Sequence, residues 1–105
     1  MAWVYLVLAG VFEVGWPVGL KLSQVPATRL AGIAMALFFL GLSGTLLWLA
    51  QKQIPLGTAY AVWTGIGAVG TFGMGVYLYG DPLTAARFLG VALIIAGVVT
   101  LKLAH

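Results

Sequence analysis

Cysteine is absent from this 105-residue chain, and charged residues are scarce. The lack of cysteine excludes disulfides and thiolate metal sites, and the single histidine, His105, stands at the last position, where a cluster of metal ligands is hard to complete. The sequence therefore predicts no metal and no cofactor. Two acidic and five basic residues are outnumbered by hydrophobic residues, which make up 63% of the chain. This composition indicates an integral membrane protein.

The few charges separate long apolar stretches of about 20 residues, the length of helix that crosses a bilayer. We expect an all-α membrane protein with one domain over residues 1–105. Its four transmembrane helices, called here the first to fourth spans, are predicted near residues 2–20, 30–51, 58–79 and 84–103. The first apolar run lacks a basic flank and is too long for a signal peptide, so we expect it to remain in the mature protein.

The positive charges are divided almost evenly between the two sides of the membrane. Four spans place Lys52 and Lys102 on one side, and Lys21, Arg29 and Arg87 on the other. Such a weak bias permits insertion in both orientations, and two opposed copies can then pair. Basic residues at span ends favour contact with lipid headgroups, so nucleic-acid binding is not expected.

Small residues mark the faces where helices approach closely. Gly67, Thr71 and Gly75 recur on one face of the third span, which favours packing within a subunit and packing between subunits about equally. Gly90 and Gly97 lie seven residues apart on the fourth span, and this spacing favours a seam between subunits. Four helices are also too few to enclose a solvated path, so we expect a homo-oligomer.

Glu13 is the only acidic residue within an apolar run, and it lies near the middle of the first span. Inserting a charge at that depth costs about 2.5 kcal/mol or more, so Glu13 is expected to face a partner, a bundle interior or a water-filled cavity. Trp16 lies one helical turn away. Pro17 has no N–H for the Glu13 carbonyl, so we expect either an ordinary proline kink or a bend that shapes the site.

Aromatic and hydroxyl side chains on other spans are candidates to join Glu13. Tyr60 and Trp63 share a face of the third span, and Gly65 and Gly67 follow them and allow another backbone to approach. A carboxylate beside aromatic rings suits an organic cation. The alternative is an interfacial aromatic belt, for which Trp16 is too deep. Ser43, in the middle of the second span, more commonly bonds its own backbone.

The charges near the ends of the spans are expected to have supporting roles. Asp81 and Arg87 are interpreted as solvated anchors that also cap the start of the fourth span. Lys21 and Lys102 are interpreted as side chains that extend to the membrane interface.

Three segments resemble the small multidrug resistance family, a family of four-helix, dual-topology transporters. They are Phe12 to Trp16, Pro55 to Gly67, and the glycine-containing run from Gly90 to Val98. Thr64 and the pair Leu101-Lys102 are similar to the guanidinium exporter subtype of that family.

The resemblance implies a proton-coupled antiporter in a bacterial inner membrane, assembled as an antiparallel homodimer or as a heterodimer of paralogues. It also implies that Glu13 binds both protons and substrate, surrounded by Trp16, Ser43, Tyr60 and Trp63. Pro17 departs from the alanine that is more frequent in the family, and the loop over residues 23–29 lacks the usual glycine.

Our leading hypothesis is therefore export of guanidinium and small guanidinyl-type cations in exchange for protons. Two alternatives stay open: an exporter of quaternary ammonium or polyaromatic cations, and a non-transporting membrane subunit that needs a partner. An enzyme is disfavoured, because one buried carboxylate without a second acid, base or nucleophile does not form a catalytic set.

Overall fold

The structure, a computed structural model, describes residues 1–104 and is helical apart from short connections. Four helices or helix pairs are long and apolar enough to cross a membrane, in agreement with the predicted all-α fold. The first span comprises α1 and α2, and α3, α4 and α5 are the second, third and fourth spans. The helices are α1 Ala2–Glu13, α2 Gly15–Ser23, α3 Arg29–Ala50, α4 Leu56–Tyr79 and α5 Ala85–Ala104, with a 3-10 turn at Pro26–Thr28.

The first span is interrupted next to Glu13. Proline at position 17 supplies no N–H, so the Glu13 carbonyl loses its usual helical donor four residues ahead. Val14 keeps helical angles (φ −62°, ψ −32°), and its own N–H bonds to the Val11 carbonyl at 3.3 Å. The interruption is thus a local break in hydrogen bonding at the level of the carboxylate.

The first three spans form a closely packed bundle. Gly19 lies directly on the second span, because a Cβ atom there would be 2.7 Å from both the Ala36 nitrogen and the Gly32 oxygen. Gly10 lies against a side chain of the third span, since a Cβ atom there would be 2.7 Å from Ile66 Cβ. The most buried apolar cluster joins the ends of these spans and consists of Ala2, Leu6, Ala50, Ile54, Ala59 and Val62.

The fourth span lies outside this bundle. Among residues 1–104, the backbone of α5 approaches no helix other than α4, and none of its residues is buried. Val98 packs against Gly65 of the third span, and the Lys102 ammonium lies 4.8 Å from the centre of the Trp3 ring. Gly90 and Gly97 have open space where a Cβ would be. One face of the fourth span is therefore unoccupied within the subunit.

The turn between the third and fourth spans corrects one expectation. The third span ends at Gly80 in a left-handed conformation (φ 66°) that favours glycine. Thr84, and not Asp81, caps the fourth span, since its Oγ1 accepts a hydrogen bond from the Arg87 N–H at 3.2 Å. Asp81 instead turns back toward the third span, where its N–H bonds to the Gly75 carbonyl at 3.2 Å.

Candidate functional site

The Glu13 side chain leaves the broken first span and lies against Gly67 of the third span. A Cβ atom at position 67 would be 2.5 Å from Glu13 Cγ, so only glycine leaves space for this side chain. The expectation that Gly65 and Gly67 admit a neighbouring backbone is wrong, because a side chain fills both places: Val98 at Gly65 and Glu13 at Gly67. The glycine at position 67 thus makes room for the carboxylate itself.

Two polar atoms in this region are buried without a hydrogen-bond partner: Glu13 Oε1 and Trp16 Nε1. The Trp16 indole and the Ser43 hydroxyl are the polar groups that approach the Glu13 carboxyl. Neither group forms a hydrogen bond to Glu13 Oε1 in this conformation. A buried acceptor without a donor is costly, and a ligand that brings donors relieves that cost.

Ser43 connects the three bundled spans through one hydroxyl group. Its Oγ donates to the Ala9 carbonyl of the first span at 2.6 Å and accepts from the Trp63 Nε1 of the third span at 2.8 Å. Ser43 is fully buried. Because a hydroxyl has one proton, Ser43 has only acceptor capacity left for a ligand in this arrangement.

Tyr60 lies at the outer edge of the same cluster. Its ring centre is 5.4 Å from that of Trp63, with the planes inclined by 51°. The tyrosine side chain is 54% exposed, whereas Trp63 is partly buried. The five predicted residues are therefore linked in a chain of contacts that runs from Trp16 through Glu13, Ser43 and Trp63 to Tyr60.

A cavity of about 290 Å³ opens beside the carboxylate, and sequence reasoning missed part of its lining. Glu13, Pro17 and Gly67 contribute to its walls together with Thr64, Ala68 and Thr71. Thr64 directs its hydroxyl to the Tyr60 carbonyl at 2.8 Å. The spacing of Thr64 and Thr71, two helical turns apart with Gly67 between them, is the sequence signal that marks this face.

The fold and this cluster define a multi-pass membrane protein with a carboxylate held inside a helical bundle. The profile of the family described as "Small Multidrug Resistance protein" matches residues 1–94. The chain belongs to the small multidrug resistance family.

Several curated relatives are similar over nearly their whole length. A protein named "Guanidinium exporter" from Yersinia pseudotuberculosis is 50% identical over 104 residues, which is 99% of each chain. Proteins of the same name from Salmonella typhimurium and Citrobacter freundii are 45% and 44% identical over 103 residues, covering 98% of this chain and 97% of theirs. The names of these relatives describe transport and not an enzymatic reaction.

Proposed function

We propose that this protein exports guanidinium and small guanidinyl-type cations across a bacterial inner membrane in exchange for protons. Glu13 is the shared binding site for proton and cation in this proposal, and Trp16, Ser43, Tyr60 and Trp63 surround it. The observation that carries the proposal is the buried, unpaired Glu13 Oε1 beside an open cavity. The names of relatives up to 50% identical support the substrate class.

Exchange follows from competition for one carboxylate. In a low-dielectric site, an ionised carboxylate is unfavourable unless a cation neutralises it. Either a proton or an organic cation meets that need, and occupation by one excludes the other. Two copies of Glu13 in a dimer strengthen the competition, because two neighbouring negative charges disfavour each other.

The hydrogen-bond inventory of the site favours a cation that carries many donors. Guanidinium is planar, with N–H groups on every edge, and pairs with a carboxylate through two parallel bonds. The Glu13 carboxylate, the Glu13 carbonyl freed by Pro17 and the remaining Ser43 lone pair offer acceptors. A quaternary ammonium ion has no N–H group and leaves these acceptors unpaired.

The second candidate is export of larger aromatic or quaternary cations, and one observation favours it. The Tyr60 ring is more than half exposed beside Trp63, so the two rings offer an accessible aromatic surface. Aromatic faces bind cations that lack hydrogen-bond donors. The third candidate is a non-transporting subunit, for which the isolated chain is expected to move no cation.

We also propose that the working unit is an antiparallel homodimer joined through the fourth span, with a heterodimer of paralogues as the alternative. The open space at Gly90 and Gly97 and the lack of buried residues on α5 support this seam. Gly65, Gly67 and the Pro17 break are assigned to helix packing and conformational change. Because the two ends of an antiparallel homodimer are equivalent, the dimer can expose Glu13 to each side of the membrane in turn.

The test is solid-supported membrane electrophysiology on proteoliposomes that contain only this chain. Guanidinium, tetramethylammonium and a large aromatic cation are applied separately to the wild type and to Glu13→Gln. We expect a guanidinium current that Glu13→Gln abolishes. Currents from the larger cations alone would support the second candidate, and no current from any cation would support a subunit that needs a partner.

A further inference from the structure

A second cavity, of about 220 Å³, lies at the end of the bundle where the first and third spans finish. Lys21, Tyr79 and Asp81 line it, and the proposed exchange at Glu13 uses none of them. Pro17 and Thr71 line both this cavity and the Glu13 cavity. The two cavities therefore adjoin.

Asp81 is held in a defined position. Its N–H bonds to the Gly75 carbonyl, and the left-handed Gly80 turns the chain back over the third span. The Asp81 carboxylate lies directly on Gly75, since a Cβ at position 75 would collide with Oδ2. The glycine at position 75 thus makes room for Asp81 as Gly67 does for Glu13. Glu13 and Asp81 are the only two acidic residues of the chain.

A cation already occupies the aromatic wall of this cavity. The Lys21 ammonium lies 5.7 Å from the centre of the Tyr79 ring, and among residues 1–104 it forms no ion pair with Asp81. Three other basic residues also lie over rings: Lys52 over Trp48, Arg87 over Phe72 and Lys102 over Trp3. The Lys21 contact lines a cavity together with a carboxylate, that of Asp81.

We propose that Asp81 and Tyr79 form a second, weaker binding station for the exported cation, and that the Lys21 ammonium is its built-in competitor. The substrate class rests on the proposed function. A guanidinium ion can lie flat on the phenol ring and direct two N–H groups to Asp81, whereas the lysine makes only the ring contact. Lysine then returns to the ring as the cation leaves, so the station does not retain its ligand.

The direct test measures binding and does not depend on transport. Amide NMR spectra of Glu13→Gln in detergent micelles are recorded as guanidinium chloride is added. With the Glu13 site removed, we expect saturable shifts at Gly75, Gly80 and Asp81. The double variant Glu13→Gln/Asp81→Asn is expected to lose them, and Glu13→Gln/Gly75→Ala, which displaces the carboxylate without removing its charge, is expected to weaken them.

The role of Lys21 has a matched control at the same end of the molecule. In the Glu13→Gln background, Lys21→Gln is expected to tighten guanidinium binding at the station about threefold, by removing the competing ring contact. Arg29→Gln removes the same charge, but Arg29 bonds to the Ser23 carbonyl at 3.1 Å and does not touch Tyr79. We expect the Arg29 variant to change the affinity much less.

Three results would overturn the station: no shifts near Gly80, shifts that survive Asp81→Asn, or equal effects of Lys21→Gln and Arg29→Gln. If Glu13→Gln does not fold, the same titration of the wild type and of Asp81→Asn decides the question. Failure of the proposed function is a separate result. It would be seen as absence of a Glu13-dependent guanidinium current, whereas this titration reports binding at Asp81 whether or not the protein transports.

Discussion

All four spans are apolar enough to cross a membrane, but the packing of the first three differs from that of the fourth. Among the described residues, the first three share a buried cluster, the Ser43 hydrogen bonds and the close contact at Gly19. The fourth contacts the third along one side and has no buried residue. Hydropathy alone therefore does not separate a helix that builds the site from one whose free face is available to lipid or to a second copy.

The largest expected effect tests the inner bundle. Gly19→Ala places a methyl group against backbone atoms of Gly32 and Ala36 that cannot move aside independently. We expect a loss of about 1 to 3 kcal/mol in the free energy of unfolding, as for other overpacked sites. Unfolding in detergent, followed by circular dichroism, measures it. Gly44→Ala on the second span, where a methyl meets open space, is the control, and equal losses would contradict the packing.

The next prediction tests the position of the Glu13 side chain separately from the packing of the bundle. Gly67→Ala pushes the Glu13 side chain out of its place, so we expect guanidinium transport to fall about tenfold or more, the cost of misplacing one strong polar contact. Gly73→Ala lies on the same helix with open space around it and is expected to retain transport. Proteoliposome flux with matched protein amounts measures the difference. Normal flux in Gly67→Ala would show that transport does not need a glycine at this position.

The fourth span is tested by a substitution that leaves the inner bundle untouched. Gly97→Leu fills open space at the edge of α5, in a groove that Ala61 of the third span also lines, so we expect the subunit to fold normally while the dimer weakens about tenfold, a penalty of about 1.4 kcal/mol. Energy transfer between labelled subunits in liposomes measures the association. Gly41→Leu, which also fills open space but on the second span, is the control. Unchanged association in Gly97→Leu would argue against the seam.

The smallest effect concerns the serine that links the bundle. Ser43→Ala leaves the Trp63 N–H and the Ala9 carbonyl without their shared partner. Hydrogen bonds between membrane helices contribute about 0.6 kcal/mol each on average, so we expect the loss of these two bonds to cost about 1.2 kcal/mol of stability. Thr45→Ala removes a hydroxyl that bonds only to its own helix, at Gly41, and is expected to cost less. A larger loss for Thr45→Ala in detergent unfolding would reverse this ranking.

Much of this architecture can be predicted from the sequence for physical reasons, and the same reasons show which features cannot be predicted. Spans are predictable because bilayer thickness sets helix length, and the break near Glu13 is predictable because proline lacks an N–H. The neighbours of Gly65 and Gly67 are not predictable from the sequence, since helical periodicity shows which residues share a face but not which residues pack against that face. The position of Asp81 was missed because it depends on the left-handed turn at Gly80 and on the space at Gly75.

The central claim is that proton and cation compete for Glu13, and proton release on binding tests it most directly. Guanidinium chloride is added to the purified wild type in a weakly buffered, mildly acidic micelle solution while the pH is recorded. We predict acidification, and apparent guanidinium binding that weakens by up to about tenfold for each pH unit of decrease, as expected for one shared proton site. Glu13→Gln is predicted to release no proton. Guanidinium binding without proton release, or equal release in Glu13→Gln, would contradict the account.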